Sequence, residues 1–125
     1  MEHRTTPLLR DLLRVYNDIV RDNFQKNIFL TRSEICLRIS TLPAPQLYIT
    51  PLFARRIINA MDNGRPLAHG PWRSRQHHEL YKRWLSLPED ERTPQAIEKI
   101  IAQPAPSFYL SPSRINYLLY KAIKQ

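Results

Sequence analysis

Glycine is scarce in this chain: the 125 residues hold two, Gly64 and Gly70, beside eleven prolines. A phosphate-cradling P-loop and a dinucleotide-binding turn both need several glycines at fixed spacing, so neither can be written here. Cysteine is scarcer still. Cys36 stands alone, which excludes an internal disulfide and a Cys-rich zinc site. No apolar run approaches the roughly 18 residues of a membrane-spanning helix. The start, Met1 to Thr6, lacks the apolar stretch of a secretory leader. A cytoplasmic protein with no membrane partner is expected. Acidic residues are few: 11 Asp and Glu face 19 Lys and Arg, giving +8 and a pI near 10.1. That balance favours a polyanionic partner.

With 42% hydrophobic and 24% charged residues, the chain has the composition of a folded protein. Its length suits one compact domain or two very small ones.

An internal repeat organises the sequence. Pro43-Ala44-Pro45-Gln46-Leu47-Tyr48-Ile49-Thr50-Pro51 returns 61 residues later as Pro104-Ala105-Pro106-Ser107-Phe108-Tyr109-Leu110-Ser111-Pro112, with five of nine positions identical. Helical patterns flank both segments. The reading is two copies of one unit, residues 1–63 and 64–125, packed as one pseudo-symmetric domain.

Each copy opens on an amphipathic helix. Leu8, Leu9, Leu12, Leu13, Tyr16, Ile19 and Val20 follow a period near 3.6 in the first, and Leu80, Tyr81, Trp84, Leu85 and Leu87 fill the matching stretch of the second. Pro88 ends the latter. The second helices start at Thr31, with Glu34 completing a capping box, and at Thr93-Pro94. Ile35, Leu37 and Ile39, and later Ile97, Ile100 and Ile101, are expected on their buried faces. Pro-Ala-Pro then forces an extended connection. Gln46 to Ile49 and Ser107 to Leu110 are expected to stay extended, and a two-stranded ribbon between them is left open. Thr50-Pro51 and Ser111-Pro112 start the third helices, and Asn63-Gly64 closes the first of these. Tyr48 and Tyr109 are expected to help build the core. The fold class is therefore all-α: a duplicated pair of three-helix units joined by Pro-Ala-Pro connections.

At the Pro-Ala-Pro-x-aromatic-Tyr segment the chain resembles a set of small, duplicated proteins frequent in Bacteroidetes genomes and their mobile elements. The resemblance covers most of the chain, including Glu79-Leu80-Tyr81-Lys82-Arg83. Gln46-Leu47 and Ser107-Phe108 depart from it, standing where an arginine–phenylalanine pair is common. The set carries no established activity, so the resemblance implies the duplication and no function.

Chemistry is sought first on the third helices. Arg114, Tyr117, Lys121 and Lys124 fall in one stripe at steps of three, four and three, opposite Ile115, Leu118, Leu119 and Ala122. In the first copy Arg55, Arg56 and Asn59 stand clear of Phe53, Ile57, Ile58 and Met61. Arginine reads guanine bidentately, asparagine reads adenine, and lysine or tyrosine holds phosphate. A three-helix unit ending in a basic helix has the general plan of helix-turn-helix proteins, although the connection before it exceeds their turn of three or four residues. The bland alternative is a solvated face, since any surface helix of a +8 chain carries Lys and Arg.

The joint between the copies, 63–75, adds Arg65, Arg73 and Arg75 beside Trp72. Such an arm follows a phosphate backbone or enters a minor groove; its alternative is a solvated linker with Trp72 packed back on the core. His77-His78, with His3, His69 and Cys36, lacks the spacing of a metal site. The serines lack a nucleophile-elbow context and Cys36 lies in a helix pattern as a core thiol. No catalytic residue, metal or cofactor is expected.

A non-enzymatic nucleic-acid-binding protein is therefore expected, with duplex DNA favoured. The alternative is a protein–protein scaffold or adaptor, such as a phage or mobile-element component.

Overall fold

The computed structural model of the chain describes residues 6–124. Among them are six α-helices, one 3₁₀ turn and no strand: α1 (Pro7–Gln25), α2 (Arg32–Ser40), α3 (Pro51–Asp62), α4 (Pro71–Leu85), the turn Glu89–Glu91, α5 (Pro94–Ala102) and α6 (Pro112–Lys124).

Proline and threonine set where helices begin. Pro7, Pro51, Pro71, Pro94 and Pro112 each occupy a first helical position, where a missing N–H costs nothing and the fixed φ already suits the helix. Four of the five follow a hydroxyl cap. Thr6 Oγ1 accepts from Leu9 N–H, Thr50 Oγ1 from Phe53, Thr93 Oγ1 from Ala96 and Ser111 Oγ from Arg114, at 3.1–3.2 Å. Thr31 caps α2 by accepting from Glu34 N–H, and its hydroxyl donates to the Glu34 carboxylate, both at 3.1 Å. At the other ends, left-handed residues reverse the chain. Gly64 (φ 69°) follows α3, where Arg65 N–H donates to Ala60 at 2.8 Å; Asn27 (φ 58°) follows α1, where Ile28 N–H donates to Asn23 at 2.8 Å.

The chain forms two compact units, and they are not the sequence halves. One holds Met1–Leu42 with Leu110–Gln125; the other is Pro43–Tyr109. The first unit is α1, α2 and α6, each packed on the other two. The second is α3, α4 and α5, likewise mutually packed. The chain passes from one unit to the other at 42/43 and 109/110, rather than at the expected 63/64. The third helix read for each half packs with the first and second helices of the other half. Neither expected helix-turn-helix pair, α2 with α3 or α5 with α6, therefore lies within one unit.

In the first unit Leu12, Ile35, Cys36, Ile39, Ile115 and Leu119 are all at most 2% exposed. Leu37 is 59% exposed, contrary to expectation. Ile35, Leu37 and Ile39 alternate as on a strand, whereas a nine-residue helix buries neighbours one and four apart. Cys36 and Ser40 therefore take the inner positions, and Ser40 Oγ donates to Leu37 O at 2.6 Å. Burial raises the Cys36 thiol above its ordinary range, which keeps it protonated in the core.

The second unit buries Ala54, Ile57 and Ile58 of α3, Leu80 of α4, and Ile97, Ile100 and Ile101 of α5. Phe53, at 37%, and Leu85, at 47%, are more exposed than their periodicity suggests. Both proline-rich segments also belong to this unit. Ala44 and Ala105 exchange two backbone hydrogen bonds of 2.8 Å in an isolated antiparallel bridge, and both are buried. Proline on either side supplies no N–H, so the alanine is the one donor of each Pro-Ala-Pro and pairing stops after one residue. The open ribbon is reduced to this bridge.

The four residues beyond do not stay extended. Tyr48 and Tyr109 each have φ of 57°. A left-handed residue redirects the chain into the following helix start within two residues, at about 1–2 kcal/mol for a side-chain-bearing residue. Both tyrosines are half-buried. The Tyr48 ring stacks on buried Phe108, with centroids 5.8 Å apart and planes at 10°.

Candidate nucleic-acid interface

The basic residues divide into two groups by what they touch. Arg14 and Arg21 pair with acids on their own helix, and Arg83 and Arg92 are tied to backbone carbonyls of the second unit. Arg55, Arg56, Arg65, Arg73, Arg75, Arg114, Lys121 and Lys124 are exposed and form no ion pair among the described residues, and the same holds of Arg10, Lys26, Arg38, Lys82 and Lys99, which the sequence did not single out. The first eight are the cations singled out by sequence, and Asn59 and Tyr117 are exposed with them.

In the first unit the site is the outer face of α6. This helix carries no acid, and Arg114, Lys121 and Lys124 are its charges. The Arg114 guanidinium lies 5.1 Å from the Tyr117 ring centroid and Lys121 Nζ lies 5.4 Å from it, so two cations flank one ring. Lys124 Nζ stands 5.2 Å from Tyr120, which is 50% exposed. Each contact is worth about 0.5–1 kcal/mol at the surface, which biases the rotamers toward the rings and leaves the charges unneutralised. Ile115 and Leu119 face inward as expected, while Leu118 and Ala122 are half-buried.

In the second unit Arg55, Arg56 and Asn59 lie along exposed positions of α3. Its single acid, Asp62, accepts from the Tyr81 hydroxyl at 2.6 Å, a bond that raises the tyrosine's titration. Arg55 and Asn59 line a cleft of about 210 Å³ with Ile58, Trp84, Arg92 and Ile97. Sequence reasoning missed Trp84 and Arg92 because they come from α4 and the turn before α5, which only the packing brings beside α3.

The joint is shorter than expected. Arg65 alone lies in the connection, since α4 begins at Pro71 and carries Arg73 and Arg75 in its first turns. Trp72 is half-buried, with the Arg75 guanidinium 4.8 Å over its ring.

His77, weighed in the sequence only as a metal ligand, is a core residue of the second unit. It is 2% exposed, sits 5.9 Å from Phe53 in edge-to-face contact, and neither ring nitrogen has a hydrogen-bond partner among the described residues. Its neighbour His78 is exposed and bonds the Ser74 carbonyl through Nδ1 at 2.8 Å. No cluster of three metal-ligating side chains exists among the described residues; His3 lies outside them. Burial first, then the charges of Arg73 and His78, push the His77 titration below its ordinary 6.5. The unfolded chain therefore takes up the proton more readily than the folded one. Stability is full above about pH 6.5 and falls as pH drops below it. Urea unfolding is expected to show a lower midpoint at pH 5.5 than at pH 7.5, and His77→Leu should remove most of that difference. An undiminished difference in the variant would assign the effect to other groups.

No helix among the described residues is long and apolar enough to cross a membrane. No protein-family model, curated protein or solved structure matches the chain.

Proposed function

We propose that the protein binds nucleic acid without catalysing a reaction, and that duplex DNA is its form of choice. The observation that carries this reading is the outer face of α6, where unpaired Arg114, Lys121 and Lys124 are interleaved with exposed Tyr117 and Tyr120. Cations and tyrosine hydroxyls along one exposed face offer phosphate contacts. α3 contributes Arg55, Arg56 and Asn59 in the second unit, and Arg65, Arg73 and Arg75 add backbone contacts. Two units derived from one duplicated sequence would place two related surfaces on one chain, and the likeness to duplicated mobile-element proteins accords with that origin.

The test is fluorescence anisotropy of a labelled duplex across a salt series. Arg114→Ala with Lys121→Ala is expected to flatten the log–log slope by about 1.8, near 0.9 for each phosphate no longer neutralised. The helical circular dichroism should be unchanged, because both side chains are exposed. Equal affinity and slope in the double variant would remove α6 from the interface.

A second reading is a protein scaffold or adaptor. It is favoured by Phe24 and Phe29 at the end of α1, which are 63% and 77% exposed and meet edge to face at 5.9 Å. A salt-insensitive, negligible affinity for duplex and single strand alike would turn the assignment to it.

A further inference from the structure

Resting on the nucleic-acid reading, we propose that the cleft of the second unit takes one unpaired nucleotide, its base against Trp84 and its phosphate at Arg55 and Arg92. Two guanidinium-bearing side chains line this cleft, and no carboxylate among the described residues does. Glu89, Asp90 and Glu91 precede Arg92 in the chain, yet none of them lines it. Like charges sharing a concave wall favour an anion between them.

Arg92 is held in place by the fold. Its Nε donates to Leu87 O at 3.0 Å and its Nη2 to Leu85 O at 3.1 Å, which leaves Nη1 without a partner among the described residues. Arg55 makes no hydrogen bond or ion pair there, and neither does the Asn59 side-chain amide one turn along α3. One cation is thus preorganised and the other is free to close on a ligand.

The remaining wall is suited to a planar ring. Trp84 is half-buried, and Ile58 and Ile97, 3% and 4% exposed, line the cleft with it. A volume of about 210 Å³ is below the roughly 300–1,000 Å³ of sites for drug-sized ligands, so the cleft suits a ligand on the scale of one nucleotide and no larger. Base–aromatic contact is tolerant of sequence, while the Asn59 amide can meet a base edge with a donor and an acceptor, as asparagine does with adenine.

The experiment uses the full chain carrying Trp72→Phe, so that Trp84 is the sole tryptophan. Deoxyadenosine monophosphate, deoxyribose 5-phosphate and inorganic phosphate are titrated while Trp84 fluorescence is followed, and duplex binding is measured on the same sample. Saturable quenching by the nucleotide, absent with the sugar phosphate, is expected. Arg55→Ala and Asn59→Ala should each weaken it about tenfold, in line with a hydrogen bond to a charged or base-edge group. Arg92 is left intact because it anchors the end of α4. Duplex binding with no quenching by millimolar nucleotide would overturn the cleft and spare the broader reading; absence of both would overturn the two together. An equal fluorescence response to inorganic phosphate and to the nucleotide would reduce the cleft to an anion site and overturn the base contact. Quenching without duplex binding would support the cleft and overturn the preference for duplex.

Discussion

A fragment spanning residues 43–109 is expected to fold cooperatively by itself, whereas 64–125 is not. The first contains α3, α4, α5 and both proline-rich segments, including the Ala44–Ala105 bridge and the bond from Leu47 N–H to Ile101 O. The second keeps α4 and α5 but loses α3, and keeps α6 without α1 and α2. α3 alone buries Ile57 completely and Ile58 nearly so. Burial of an isoleucine is worth about 1.5–3 kcal/mol, so losing both removes roughly 3–6 kcal/mol. That is comparable with the whole stability of a small domain, about 5–15 kcal/mol. Helical circular dichroism, a sigmoidal urea transition and dispersed amide resonances are expected for 43–109. A melt without cooperativity for 43–109, or a cooperative one for 64–125, would show that the halves rather than the exchanged units are the folding entities.

That exchange was illegible in sequence for a physical reason. Ala54, Ile57 and Ile58 of α3 have the same spacing as Ile115, Leu118 and Leu119 of α6, 61 residues later. Either helix presents the same apolar pattern, so composition cannot say which pair of helices it fills against. The helices themselves were legible. Thr31, Thr50, Thr93 and Ser111 cap as their sequence context demands, and Asn63-Gly64 ends α3. The left-handed tyrosines were not, because nothing in an aromatic residue signals positive φ, and its cost is borne by the packing of Tyr48 on Phe108.

The candidate site divides along the same line. Stripes such as Arg114, Tyr117 and Lys121 are one-helix features, and helical period alone places them on one exposed face. The cleft draws Arg55 and Asn59 together with Trp84 and Arg92, which are distant in the chain, and needs the tertiary contact of α3 with α4 and α5. Sequence also cannot tell a basic residue that serves the fold from one that serves a ligand. Arg83 and Arg55 both fall in helices, yet the Arg83 side chain is 11% exposed and fully engaged, whereas Arg55 is exposed and unpaired.

Arg83→Met is expected to destabilise the second unit by about 3 kcal/mol or more. α5 ends at Ala102 with its cap residue Gln103 already extended, so no left-handed turn satisfies the last carbonyls. Arg83 takes that role from α4. Its Nη1 donates to Ile100 O at 2.6 Å and Gln103 O at 3.2 Å, and its Nη2 to Pro104 O at 2.7 Å. Nε completes the set with Glu79 at 2.9 Å, the carboxylate side chain being 18% exposed. Methionine preserves the aliphatic stem but strands three carbonyls and a largely buried acid. Breaking such a pair costs about 3–5 kcal/mol when fully buried, and partial exposure places this one near the lower end. Lysine restores charge as a single point, which cannot span acceptors in this fork arrangement, so Arg83→Lys should recover only part of the loss. Arg55→Ala, on the exposed face of α3, should stay within about 0.5 kcal/mol of the parent. Urea unfolding of all three variants in the full chain and in 43–109 checks the order, and an Arg83→Met midpoint matching that of Arg55→Ala would mean that the α5 end is held by something else.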